Sequence, residues 1–83
     1  MRLLYFASVR QKLGKGEESL ALPGDVTTVG ALTAFLAARG PSYAAVFTDL
    51  RPLRAAVNQT HARFDDPVGD GDEVAFFPPV TGG

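Results

Sequence analysis

The chain contains no cysteine and only one histidine, His61. Without cysteine it cannot form a disulfide, a thiolate zinc site, an iron–sulfur cluster or a thiol nucleophile. A single histidine also excludes a pair of imidazole ligands on one metal ion. No stretch approaches the roughly eighteen apolar residues of a membrane-spanning helix, and no signal-peptide pattern stands at the start. These absences predict a cytoplasmic protein that has no membrane partner and binds no metal or cofactor permanently.

An excess of charge of one sign is missing as well. Eight lysines and arginines stand against nine acids, which gives a net charge of −1. A surface that neutralises phosphates is therefore not expected, and neither is a nucleic-acid partner. Hydrophobic residues make up 46% of the 83 positions, which is enough for one small globular domain with a modest core.

Five stretches rich in aromatic and branched residues predict strands, at 2–9, 18–22, 53–57, 60–64 and 73–77. Apolar residues at helical spacing over 29–36 predict one main helix, capped by Thr27 or Thr28 and closed by Gly40 and Pro41. A loop is expected over 10–16, and a further short helical turn over 42–47. This order predicts an α+β domain with a mixed sheet. The first and last strands are apolar on both faces, so we expect them to be neighbours at its centre.

The side chains that could carry chemistry within the domain have simpler explanations. Five acids between 65 and 73 do not follow the spacing of a calcium loop and are typical of turns. The segment 14–16 is too short for a phosphate loop and is interpreted as a flexible connection. His61 has no recognisable nucleophile as partner and is expected to be a half-exposed strand residue. The chain therefore does not look like an enzyme that acts alone.

Two features point instead to partners. One of the consecutive residues Phe76 and Phe77 should face the helix, and the other the far face of the sheet. There it would form part of an apolar patch, which either binds a partner or is covered by loops. At the end of the chain, Pro78 and Pro79 cannot donate to a sheet, and Gly82 and Gly83 carry no side chains. Such a tail fits a narrow channel, although a frayed end is the alternative.

Three segments together resemble the small subunit of molybdopterin synthase, a ubiquitin-like sulfur carrier. They are DGDEVAFFPPVTGG at 70–83, YFASVR at 5–10 and AVNQ at 56–59. The resemblance extends over essentially the whole chain, and its C-terminal part is the most specific. It implies a β-grasp fold of about five strands with one main helix. Residues 1–79 would form the domain, and residues 80–83 a flexible tail that carries sulfur.

In that family the C-terminal glycine carries the chemistry, and here it corresponds to Gly83. An adenylyltransferase similar to ubiquitin-activating enzymes would use ATP to form a transient glycyl-AMP, and a sulfurtransferase system would convert it into a thiocarboxylate. The large synthase subunit would then use this sulfur to build the dithiolene of molybdopterin from cyclic pyranopterin monophosphate. The assembly implied is a heterotetramer, a sulfurtransferase in which this chain is not catalytic alone. The partner-binding residues implied are Phe6, Phe77, Pro78, Pro79, Val80, Thr81 and Gly82.

The sequence departs from the family at one position, because members often have an apolar residue after the threonine that corresponds to Thr60. Here the next residue is His61, which puts one hydrophobic contact with the partner in question. Three other functions also remain open. The chain could carry sulfur for thiamine or for tRNA thiolation, it could be a ubiquitin-like binding module with an inert tail, or it could be a modifier that forms isopeptide bonds.

Overall fold

The computed structural model describes residues 1–79 as a five-stranded sheet with three helices. In chain order the elements are β1 (Arg2–Tyr5), α1 (Ala7–Leu13), β2 (Glu17–Ser19), α2 (Val29–Ala37), α3 (Pro41–Phe47), β3 (Arg54–Val57), β4 (Thr60–Ala62) and β5 (Glu73–Phe77). None of the helices within residues 1–79 is long and apolar enough to cross a membrane.

The strand order in the sheet is β2-β1-β5-β3-β4. β1 and β5 are parallel and lie at the centre, with Leu3 opposite Val74 and Tyr5 opposite Phe76. The other three pairings are antiparallel. The two strands that are apolar on both faces are thus neighbours, as predicted. The mixed sheet with one main helix confirms the predicted fold class.

The core lies on one face of this sheet. Alternate strand residues enter it together with one face of α2, and the residues that are fully enclosed include Leu3, Val74, Phe76, Val29, Leu32 and Leu36. Burial of each such side chain contributes about 1.5–3 kcal/mol. The alternate residues of β1 and β5 and the helically spaced apolar residues of α2 therefore pack together in a single cluster.

The main helix begins as the sequence predicts and ends earlier. The Thr28 side-chain oxygen accepts a hydrogen bond of 3.1 Å from the Ala31 N–H and so caps α2. The helix stops at Ala37, however, and the Gly–Pro pair that was expected to close it begins α3 instead. Gly40 has a φ of 150° and is the N-cap of α3, with Pro41 as its first residue. Proline suits that position because the first N–H of a helix has no partner within it.

The predicted loop over 10–16 is wrong for residues 10–13, which are helical, and so is the extension of the first strand to residue 9. The chain leaves the sheet after Tyr5 and forms α1, which places Val9 in the core and Leu13 against it. These two apolar residues are four positions apart, which is one helical turn. Gly14 ends the helix in the left-handed conformation with a φ of 75°, and its N–H bonds to the Arg10 carbonyl. The glycine interpreted as part of a flexible connection is therefore a helix C-cap.

A polar cluster around Glu18 ties β2 to the helices. The Glu18 carboxylate accepts hydrogen bonds of 2.7 Å from both Tyr5 and Tyr43, and Arg39 approaches it at 3.0 Å. Burial alone would raise the pKa of Glu18, but these hydrogen bonds outweigh it and hold that pKa below its usual value. Burial, followed by the hydrogen bond to Glu18, raises the pKa of Tyr5. Glu18 therefore stays ionised and links β1, β2, α3 and the segment after α2.

The acidic segment near 70 forms turns, as predicted. Asp72 accepts hydrogen bonds from the Gly69 N–H at 2.8 Å and from the Asn58 side chain at 3.0 Å. Asp70 accepts a hydrogen bond of 2.7 Å from the Leu22 N–H. Within residues 1–79, no group of three or more histidine, aspartate or glutamate side chains is placed to hold a metal ion. These carboxylates are thus hydrogen-bond acceptors that fix the turns before β5.

Candidate functional site

β1 and β5 end at the same edge of the sheet, and Pro78 and Pro79 follow β5 there. Parallel strands bring their carboxyl ends to the same edge of a sheet, so Phe6, which follows β1, lies near Phe77, the last residue of β5. The Phe6 N–H donates a hydrogen bond of 3.1 Å to the Phe76 carbonyl, which joins the two chain segments at this point. The Phe6 side chain is 49% exposed. An exposed aromatic residue therefore lies beside the segment that precedes the tail.

The two consecutive phenylalanines of β5 have different surroundings. Phe76 is fully buried, and its ring meets the edge of Phe47 at a centroid distance of 5.0 Å. Phe77 lies on the opposite face and is half-buried. Its ring is perpendicular to that of His61, with 5.6 Å between the centroids. The prediction that only one of the pair enters the core is confirmed, and it is Phe76.

Phe77 belongs to a face of the sheet that we call the open face, formed by Leu4, Ala56, Ala75 and Phe77. The strand register places Leu4 opposite Ala75, and Ala75 opposite Ala56, so these side chains form a continuous apolar row. All four are half-buried, whereas the strand residues that face α2 are enclosed. Half-buried apolar side chains in one row are typical of a partner surface. The role assigned to Phe6 and Phe77 stays a prediction.

Pro78 and Pro79 line a groove of about 290 Å³ between α1, α3 and the segment that leads into β3. Its walls include the apolar residues Val9, Val46 and Leu53 and the charged residues Lys12 and Asp49. The segment that follows β5 thus lies beside α1 and α3. The predicted residues Val80, Thr81, Gly82 and Gly83 lie outside the described residues.

The carboxylate in this groove is held in its ionised form. Asp49 accepts hydrogen bonds of 2.9 Å from both Nε and Nη2 of Arg51, and another of 3.1 Å from the Arg51 backbone N–H. The hydrogen bonds from the Arg51 side chain, and then that from its backbone, lower the pKa of Asp49 to about 2. A group with such a pKa does not accept protons at neutral pH. Asp49 therefore contributes a negative charge beside Pro78 and Pro79, which we call the root of the tail, and does not act as an acid or a base.

A second groove lies beside β4, where the His61 ring meets the Phe77 ring. It has a volume of about 550 Å³ and is lined by Arg54, His61, Ala62, Arg63, Phe64 and Asp65. His61 is exposed on β4, where the sequence predicted a half-exposed strand residue. Sequence reasoning did not single out Arg54 or Arg63, because only the strand register shows that they belong to the same surface as His61.

The comparisons with known proteins agree with this arrangement of elements and tail. The model of the ThiS family matches residues 3–83. This chain belongs to the ThiS family. The match reaches the last residue, so it includes the terminal segment as well as the folded domain.

Two curated relatives of this ThiS-family chain are molybdopterin synthase sulfur carrier subunits. The protein from Escherichia coli is 48% identical over 83 residues, which cover 100% of this chain and 99% of that protein. The protein from Haemophilus influenzae is 37% identical over 83 residues, with the same coverage. The resemblance stated from the sequence is thereby confirmed.

A solved structure shows the same fold. The small archaeal modifier protein 1 of H. volcanii has a TM-score of 0.76 and 28% sequence identity, covering 96% of this chain and 97% of that one. The β-grasp architecture expected from the resemblance is thus shared by a structure described as a modifier protein. Fold and family are consistent at both the sequence and the structural level.

Proposed function

We propose that this chain is the sulfur-carrier subunit of molybdopterin synthase. The observation that carries the proposal is the 48% identity, over the full length, to a subunit of that name. The family match also extends to residue 83, so the likeness includes the terminal glycine on which the chemistry depends. In this proposal residues 1–79 form the domain that is recognised, and residues 80–83 are the part that reacts.

Activation begins at the carboxylate of Gly83. A terminal carboxylate has a pKa of about 3.5 and is ionised at neutral pH, which makes it a poor electrophile. One of its oxygens attacks the α-phosphate of ATP in the adenylyltransferase, and pyrophosphate leaves. A sulfide equivalent from the sulfurtransferase system then attacks the carbonyl carbon of the glycyl-AMP. The carbon–oxygen bond to AMP breaks, and a thiocarboxylate remains.

Sulfur transfer takes place in the large subunit. The thiocarboxylate sulfur attacks cyclic pyranopterin monophosphate, and hydrolysis of the resulting thioester returns Gly83 to a carboxylate. A dithiolene contains two sulfur atoms, so two charged carriers are consumed for each molybdopterin. In this proposal the large subunit supplies the acid–base groups for these steps.

The domain supports this chemistry by presenting the tail. Four extended residues reach at most roughly 13–14 Å, since each spans 3.3–3.6 Å. The last two are glycines, so no side chain hinders entry into a narrow channel. The surface around the root of the tail, with Phe6, Phe77, Pro78 and Pro79, is where we place contact with the large subunit. Val80, Thr81 and Gly82 would lie within the channel itself.

The intact mass of the protein tests the proposal. After incubation with ATP, the adenylyltransferase and a sulfur source, the mass should rise by the replacement of one oxygen by sulfur at Gly83. A chain that lacks Gly83 is the matched control and should show no change. An unchanged mass of the full chain under conditions that convert the E. coli carrier would contradict the proposal.

A second candidate function is favoured by one observation, the likeness to a small archaeal modifier protein. A modifier joins its terminal carboxyl group to lysines of other proteins through an isopeptide bond. The same activated glycyl-AMP would serve, with a lysine amine in place of sulfide as nucleophile. Adducts of this chain with other proteins, dependent on ATP and lost without Gly83, would support this function. Thiocarboxylate formation without such adducts would support only the sulfur-carrier function.

A further inference from the structure

The groove beside Phe77 concentrates positive charge. Arg54, His61 and Arg63 line it together with one acid, Asp65, and we call this surface the basic groove. The Arg63 guanidinium lies 3.3 Å from the Asp65 carboxylate, but the two side chains are 83% and 74% exposed. Ion pairs in water at such exposure contribute little. With two arginines against one acid, the groove has a net positive charge.

The strand register explains why this concentration is unfavourable in the free domain. β3 and β4 pair with Ala55 opposite Ala62 and Ala56 opposite His61. Arg54 is the first residue of β3 and Arg63 follows the last residue of β4, so the two arginines lie at the same end of this antiparallel pair. Like charges that come close together on neighbouring strands are destabilising. A ligand of opposite charge in the groove would relieve this repulsion.

The hydrogen bonds of Arg54 leave it available to such a ligand. Its Nη1 donates to the carbonyl oxygens of Leu53 at 2.9 Å and Arg51 at 3.1 Å. Within residues 1–79, Arg54 forms no ion pair with an acidic side chain. Arg54 is also exposed. Its side chain is thus held at one nitrogen, Nη1, and the residue lines the groove.

We propose that the basic groove docks a carboxylate-rich segment of the protein that receives the tail. This inference rests on the proposed function and adds the chemistry of the partner's contact. Arg54 is paired in register with Phe77 on β5, and the Phe77 ring contacts His61. A partner that covers Phe77 and the root of the tail must therefore also meet this groove. Aspartate and glutamate side chains are the groups that complement it.

Binding to the purified large subunit of molybdopterin synthase, measured by calorimetry at two salt concentrations, tests the docking. The double variant Arg54→Gln/Arg63→Gln should weaken binding about tenfold at ~0.1 M NaCl, because it removes two charged contacts. The difference should shrink to about twofold at ~1 M NaCl, where the Debye length is only about 3 Å. Arg2→Gln removes one positive charge from an exposed arginine at the start of β1, outside the groove, and should change binding less than about twofold.

The outcomes separate this inference from the function on which it rests. A complex that forms with the wild-type chain and is equally tight with the double variant overturns the docking proposal and leaves the function intact. If the wild-type chain forms no complex at all, the proposed function falls, and the docking proposal with it. Self-association of the free chain that the double variant abolishes would show that a second copy occupies the groove, which also overturns the proposal.

Discussion

Replacing Phe77 by alanine should separate binding from folding, because the two phenylalanines of β5 face different surroundings. Phe76 is enclosed in the core, whereas Phe77 is half-buried and meets His61 on the open face. Phe77→Ala should lower the free energy of unfolding by only about 1–1.5 kcal/mol, from partial burial and one aromatic pair. A central aromatic residue of an interface contributes at least ~2 kcal/mol to binding. The dissociation constant for the large subunit should therefore rise about 30-fold.

The matched control is a change at the neighbouring position. Phe76→Leu keeps an apolar side chain in the core and should lower the free energy of unfolding by about 1–2 kcal/mol. Its affinity for the large subunit should stay within about twofold of the wild type, since the side chain does not reach the surface. Urea unfolding followed by circular dichroism gives the stabilities, and calorimetry gives the affinities.

Two results would refute this reasoning. Unchanged affinity in Phe77→Ala would show that the open face around this residue does not meet the large subunit. Equal loss of affinity in Phe76→Leu would show that binding follows the stability of the domain and not the surface that β5 presents. Both variants leave the tail sequence intact, so thiocarboxylate formation at Gly83 can be measured in each as an independent check.

Three further predictions concern the domain itself. Glu18→Gln should lower the free energy of unfolding by about 1–3 kcal/mol, because it removes the carboxylate that Tyr5, Tyr43 and Arg39 bind most closely. Glu17→Gln, at an exposed ion pair, should cost below ~0.5 kcal/mol, and thermal unfolding compares the two variants. The Leu22 N–H and the N-terminal ammonium lower the pKa of Asp70, so its contribution is complete above about pH 4 and is lost as the pH falls through that lowered pKa. Urea unfolding from pH 6 downward should show a shallower acid decline in Asp70→Asn. Gly30→Ala should destabilise by about 1–2 kcal/mol in the same assay, because its new methyl group would lie 3.0 Å from the Phe64 carbonyl oxygen.

Much of the fold follows from local sequence patterns. β5 occupies the predicted residues 73–77, and α2 begins after the predicted cap Thr28. The two residues between the predicted strands 53–57 and 60–64, Asn58 and Gln59, have positive φ values of 51° and 69° that suit the tight turn of a hairpin. These features depend on alternation, helical spacing and the properties of a few residues. Such signals are contained within a short window of sequence.

The features that were missed depend on other information. α1 has seven residues and no side-chain cap, and the aromatic residues before it favour a longer strand. Its only signals are the spacing of Val9 and Leu13 and the glycine that follows. The cluster around Glu18 joins residues 13 to 25 positions apart, and no local pattern links them. The basic groove is equally invisible until the register of β3 and β4 is known.

The resemblance of the tail motif to a known family indicated more residues of the candidate site than the composition and spacing of the domain did. The surroundings of Phe6, Phe77, Pro78 and Pro79 depend on β1 and β5 being parallel neighbours. The apolar faces of both strands indicated in advance that they are neighbours, but not that they are parallel. The basic groove and the groove lined by Pro78 and Pro79 could not be predicted, because each combines residues from distant segments.

The central claim is that sulfur is carried on the main-chain carboxyl group of Gly83, and a single-turnover reaction tests it most directly. The thiocarboxylate form of the chain is mixed with the large subunit and cyclic pyranopterin monophosphate, and intact mass and molybdopterin are followed together. The account predicts that the mass returns to that of the carboxylate, with two chains converted for each molybdopterin formed. Molybdopterin that accumulates while the thiocarboxylate mass stays unchanged would contradict it.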